Sequence, residues 1–183
     1  MSGDLAEIFS RKMRAASIGA APVHRHVAAR AEECAALAKA FGLPGIAELS
    51  GEFALSAEKT QNGIIDAGLV LRARVTQICV ITLEKFDAAL AETARLRFVP
   101  AATVTEDAEI AELNPESLDG PDEIPYAGEA IDLGATLSEQ LALALDPYPR
   151  KPGAQLPSNS GDSTGNPFAA LAARRGNPAN DTQ

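Results

Sequence analysis

The sharpest pattern in the chain runs from Ile131 to Gly153, IDLGATLSEQLALALDPYPRKPG, where Leu133, Leu137, Leu141 and Leu145 recur every four residues. That spacing is one face of a helix. Asp132 stands where its side chain can cap the first turn, and Pro147 and Pro149 stop the helix. A stripe that is apolar on one side only predicts a helix docked on a sheet. A second helix is predicted from Arg30. Glu32 and Glu33 suit its first turn, Cys34, Leu37, Ala38 and Phe41 share a face, and Gly42 with Pro44 ends it.

Between these helices the period changes to two. Leu49, Gly51, Phe53, Leu55 and Ala57 alternate with polar positions, and Asn62-Gly63 offers a tight hairpin turn. The returning strand, roughly Ile64 to Leu83, turns Leu69, Leu71, Ala73, Val75, Cys79 and Ile81 inward and Arg72, Arg74 and Thr76 outward. After Leu83-Glu84-Lys85 the parity inverts: Phe86, Ala88, Leu90, Ala94, Leu96 and Phe98 point in, Arg95 and Arg97 out. A turn centred on Glu84-Lys85 sets Leu71 against Phe98, Ala73 against Leu96, Cys79 against Leu90 and Gln77 against Glu92, and a slip of two would keep the parity. Two shorter strands, Glu7 to Ala15 and Val23 to Ala29, are expected before the first helix, split by Gly19 to Pro22. The fold class is α+β: an antiparallel sheet with a long central hairpin, packed by two helices, with a flexible acidic loop and a C-terminal tail. The expected organisation is a single domain over 1–149 that includes an acidic, partly disordered loop at 100–130. A linker over 150–166, a short helix at 167–175 opened by Asn166-Pro167-Phe168, and a disordered end at 176–183 follow.

Charge sharpens this picture. The net charge is −9, but residues 1–99 carry 12 basic and 11 acidic side chains while 100–183 carry 4 and 14. Eight carboxylates and no basic residue fall between Glu106 and Glu123: Glu106, Asp107, Glu109, Glu112, Glu116, Asp119, Asp122 and Glu123. An acidic chain is a poor non-specific binder of nucleic acid, so any RNA contact must use a local basic patch. The expected register supplies one. It sets Arg72 against Arg97 and Arg74 against Arg95, and four guanidinium groups facing one another repel unless something anionic covers them. That cover is either a phosphate backbone or the chain's own acidic segment; arginines that splay into solvent or pair locally are the plainer alternative.

Candidate chemistry is thin. Gly161-Asp162-Ser163-Thr164-Gly165 matches a nucleophile elbow, but no strand precedes it and it lies in the expected linker. His24 and His26 share one face of a possible strand without a set of four ligands. Cys79 falls on the inward parity, where a thiol is usually inert, and with Cys34 it more readily packs than forms a disulfide. Of the aromatics, Phe41, Phe53, Phe86 and Phe98 are on core faces, leaving Phe9, Tyr126, Tyr148 and Phe168 uncommitted. No stacking motif of the RNP type and no glycine-rich phosphate loop is present. No export segment or bilayer span is visible. The expectation is a cytoplasmic protein that is not an enzyme and uses no metal or cofactor. Its oligomeric state is not fixed by the sequence.

Three blocks occur together in order: ARVTQICVITLEKF around Cys79, IDLG with EQLALALDPYPRKPG, and NPFAALAARR. In this the chain resembles the YceD family of large ribosomal RNA subunit accumulation proteins. The resemblance implies a bacterial factor that supports synthesis, processing or stability of large-subunit (23S) rRNA. Many relatives carry a Cys-x-x-Cys pair in the central segment; here Cys79 holds the first position and Thr82 the second, so zinc or redox chemistry by that pair is not expected. Two partners follow as alternatives. One is rRNA, bound by Arg72, Arg74, Arg95 and Arg97 on the sheet. The other is a basic large-subunit ribosomal protein, held by the carboxylates of 106–123 in the manner of a chaperone. A hydrolase using Ser163 or Cys79 is the third and weakest reading.

Overall fold

A computed structural model of the protein describes residues 2–57, 63–103 and 120–155. The sheet has five strands in the order β2-β3-β4-β5-β6: β2 (Val23–Ala28), β3 (Gly45–Ala57), β4 (Ile65–Ile78), β5 (Lys85–Pro100) and β6 (Asp122–Tyr126). The pairings among β2, β3, β4 and β5 are antiparallel, and β6 joins β5 in parallel at the edge. Helices α1 (Ser2–Ile8), α2 (Ala31–Ala40) and α3 (Leu133–Ala144) complete the unit, with a two-stranded ribbon of β1 (Lys12–Arg14) and β7 (Ala130–Asp132). Residues Met1–Lys151 form one compact unit. The α+β class with a long central hairpin is the observed one.

Alternation decides which face of the sheet is buried. On β4 Ile65, Ala67, Leu69, Leu71, Ala73 and Val75 are all buried, and on β3 Leu49, Phe53 and Leu55 join them. The helices cover that side: Leu133, Leu137 and Leu141 of α3 and Cys34, Leu37 and Ala38 of α2 are buried in the same core. Burial of a leucine of this kind stabilises the fold by about 1.5–3 kcal/mol. Gly51 sets how closely α3 approaches, since a Cβ there would stand 2.8 Å from Leu137 Cδ1 and 3.0 Å from Leu69 Cδ1.

The IDLG block is explained by what crosses the start of α3. Asp132 Oδ1 accepts from the N–H groups of Gly134 (3.0 Å) and Ala135 (3.2 Å), which is the expected cap, and also from the Arg11 N–H at 2.8 Å; Oδ2 accepts from the Ser10 hydroxyl. The N-terminal segment thus lies directly over the helix start. A Cβ on Gly134 would stand 2.8 Å from the Phe9 carbonyl oxygen and 2.9 Å from the Arg11 nitrogen, so a bulkier residue would lift that segment away. Arg11 then forks onto Glu33 of α2, at 2.9 and 2.8 Å, while the same carboxylate accepts from the Arg30 N–H at 2.7 Å. The Arg11 guanidinium beside Glu33 holds its carboxyl below its ordinary value, against the opposing effect of burial.

Several expectations give way here. The first predicted strand, Glu7 to Ala15, is three residues of ribbon after a short helix, and it pairs with β7 instead of the main sheet. Phe9, left uncommitted by the pattern, is fully buried. The hairpin between β3 and β4 is present with register Ala57↔Ile65 and Gly63 at φ 89, while Asn62 lies outside the described residues. Part of the predicted 100–130 loop is strand: β6 accepts Pro125 because an edge position has no ladder partner on one side. The Gly161–Gly165 stretch and the 167–175 helix lie outside the described residues.

Candidate nucleic-acid interface

One face of the sheet is left open by the described residues, and its layout is set by how the central hairpin turns. β4 ends at Ile78, and Ile78 pairs with Lys85, so the connection is Cys79–Glu84 and not Glu84-Lys85. Cys79 N–H donates to the Glu84 carbonyl and Leu83 N–H to the Cys79 carbonyl, each at 2.9 Å, with Leu83 at φ 59. The register therefore differs by six residues from the expected one. Arg72 faces Ala91, Arg74 faces Ala89, Gly68 faces Arg95 and Asp66 faces Arg97. Gln77 is buried opposite Phe86, while Glu92 is exposed opposite Leu71. Because six is even, Leu69, Leu71, Ala73 and Val75 stay inward and Arg72, Arg74, Arg95 and Arg97 outward, while Ile81, expected inward, falls in the turn and is half-buried.

The segment after α3 holds this turn. The Pro149 carbonyl accepts from Val80 N–H at 2.9 Å, and Lys151 Nζ lies 2.8 Å from Glu84 Oε2. That pairing lowers the Glu84 carboxyl and raises the Lys151 ammonium. Cys79 has no exposed surface, yet hydrogen bonding outweighs desolvation of its thiolate. The Thr82 side chain acts first, with backbone N–H groups of Lys151, Thr82 and Ile81 adding to it, and the thiol is lowered to about 7. Thr82, three residues on from Cys79, also donates its backbone N–H to the Cys79 sulfur at 3.5 Å.

All four predicted arginines do lie on the uncovered face, but the geometry sorts them into two pairs. Arg72 and Arg74 occupy the middle of β4, beside Ser50 and Glu48 of β3, and among the described residues neither makes an ion pair. Arg95 and Arg97 lie four and six residues beyond Ala91, about 13 Å and 20 Å along β5. Arg97 Nε is 2.8 Å from Asp66 Oδ1, a partner that outward parity on β4 already offered. β6 places Glu123 opposite Arg97 and Asp122 opposite Leu96, both carboxylates exposed. Glu106, Asp107, Glu109, Glu112, Glu116 and Asp119 lie outside the described residues. His24 and His26 share the open face, as expected, with His26 Nε2 3.8 Å from Glu52 Oε1. Among the described residues no group of three or more His, Cys, Asp or Glu side chains could hold a metal ion. Tyr148 is exposed, whereas Tyr126 donates its hydroxyl to the Gly63 carbonyl at 2.6 Å.

No helix among the described residues is long and apolar enough to cross a membrane. No curated protein and no solved structure matches the chain. The family model described as large ribosomal RNA subunit accumulation protein YceD matches residues 68–173, more than half of the chain, from the interior of β4 through α3 and onward. The matched span thus includes the hairpin turn, the arginines of the open face, the capped helix and the segment that holds the turn, and the chain belongs to the YceD family.

Proposed function

We propose that this protein is a non-enzymatic, cytoplasmic factor for accumulation of large-subunit ribosomal RNA that contacts the RNA directly through the open face of its sheet, with Arg72 and Arg74 at the centre. The observation that carries this reading is that pair of exposed guanidinium groups, two residues apart on one strand face, with no ion pair among the described residues. Cationic groups held side by side on a rigid strand are arranged for phosphates, and the family description supports RNA as their source. Arg95 and Arg97 extend the same face toward β6, where Asp66 of β4 and Glu123 of β6 lower its net charge. That carboxylate margin disfavours non-specific phosphate binding and leaves Arg72 and Arg74 as the principal contacts. The absence of exposed surface on Cys79 supports a role without covalent chemistry.

The test is fluorescence anisotropy of labelled large-subunit rRNA fragments titrated at low and physiological salt, with the wild type and with Arg72→Glu/Arg74→Glu. Loss of two phosphate contacts should weaken binding and reduce the slope of log affinity against log salt by about 1.4. Wild-type binding that the double substitution leaves untouched would move the contact elsewhere on the protein. No binding by the wild type, with capture of a basic large-subunit ribosomal protein instead, would replace this reading with the chaperone alternative.

A further inference from the structure

Gly68 lies in the interior of β4, where glycine weakens a strand because it costs backbone entropy and packs nothing. The usual reasons for tolerating one are missing. Its φ is not positive. Pairing runs through it without a bulge on both sides, Ala54↔Gly68 and Gly68↔Arg95. Among the described residues nothing lies within 4 Å of the place a Cβ would occupy. A strand glycine needed neither for conformation nor for internal packing marks a place where something else approaches the backbone.

Among the described residues the place of the missing side chain lies in a shallow trough of about 350 Å³ on the open face, lined by Ala54, Ser56, Asp66, Gly68, Arg95 and Arg97. Reading across the strands, one row runs His24, Ala54, Gly68, Arg95. With strands ~4.8 Å apart, the imidazole-bearing and guanidinium-bearing positions stand about 14 Å apart across a floor made of one methyl group and bare backbone. Imidazole and guanidinium planes are the groups on which unpaired bases stack, and Ser56 and Asp66 along the margin offer hydrogen bonds to a base edge. Arg72 lies four residues along the same strand, about 13 Å away, where the backbone of the same RNA would continue.

We propose that the trough over Gly68 seats an unpaired base of single-stranded RNA, flanked by His24 and Arg95. This inference rests on the RNA-contact reading above and deepens it: the face recognises a base as well as phosphates. The test uses the full-length protein and two labelled single-stranded RNA oligomers of equal charge, one carrying bases and one abasic. The wild type should bind the base-bearing oligomer about tenfold more tightly than the abasic one. Gly68→Val fills the floor with a side chain that strands favour, so it should abolish that preference without lowering the melting temperature. Gly68→Ala and His24→Ala should each reduce it in part. If Gly68→Val lowers the melting temperature, Gly68→Ala decides, because its single methyl meets no described neighbour. A full base preference retained in the glycine variants, with Arg72→Glu/Arg74→Glu still weakening binding, overturns the base seat and leaves the phosphate reading standing. No binding of either oligomer or of rRNA fragments by the wild type overturns both.

Discussion

Replacing Asp132 by alanine tests whether one carboxylate organises the junction between the two ends of the compact unit. Three separate losses are involved. The helix cap over Gly134 and Ala135 disappears, which costs about 1 kcal/mol. The Arg11 N–H and the Ser10 hydroxyl, both in partly buried surroundings, then lose their acceptor, and each costs about 1–3 kcal/mol if nothing replaces it. These groups share one acceptor and do not add fully, so the expected destabilisation is roughly 3–4 kcal/mol. For a unit of this size that corresponds to a drop of roughly 6–16 °C in melting temperature. Asp132→Asn is the informative partner, because it keeps one oxygen acceptor and should lose no more than ~1 kcal/mol. Urea denaturation followed by circular dichroism gives both values. An alanine variant within ~1 kcal/mol of wild type, or an asparagine variant as damaging as alanine, would refute the assignment of the junction to these hydrogen bonds.

Two other outcomes follow from the ionisable groups. The lowered Glu33 carboxyl confers stability that is full above its unfolded value near ~4.3 and is lost as pH falls through the lower folded value. Glu33→Gln should therefore cost about 1–2 kcal/mol at neutral pH and flatten the acid limb of the melting curve, whereas parallel limbs would exclude the Arg11 fork as its cause. Cys79, lowered to about 7, contributes stability that is present above the unfolded thiol value near ~8.5 and fades as pH falls through 7. Thr82→Ala should move the thiol upward in an ultraviolet titration of thiolate absorbance, and an unchanged titration would remove Thr82 as the principal donor.

Much of the architecture was readable from spacing alone, and the failures have a common physical source. Alternation placed Leu69, Leu71, Ala73 and Val75 inside and Arg72 and Arg74 outside because side-chain direction in a strand depends only on parity. The leucines of α3 and the Asp132 cap were legible for the same local reason. Register is not local. It depended on a six-residue turn whose geometry is fixed by Pro149, Val80 and the Glu84–Lys151 contact, two of those partners lying some 70 residues along the chain. The expected Arg72–Arg97 and Arg74–Arg95 pairings therefore failed while the face they share was right. Phe9 and β6 were missed because short apolar or edge segments carry no periodicity until the surface they join is known. Gly68 carried its signal openly, a glycine in a strong strand, but only the neighbouring strands show that no described residue fills the space.

The Asp132 junction also says something about when this protein can fold. Its hydrogen bonds close loops of 121 and 122 residues, and β1 must wait for β7 before it has a strand to pair with. During synthesis at ~5–20 residues per second, the segment around Ser10 and Arg11 spends roughly 6–24 s before Asp132 is made. β2, β3 and β4 can pair in that interval with α2 against them, but α3, which covers the rest of their apolar face, is made last. The part of the apolar face that awaits α3 is thus exposed on the nascent chain for longer than the hairpins take to form, which makes completion of α3 the step that commits the molecule to its native state and leaves the preceding interval as its period of greatest exposure to aggregation.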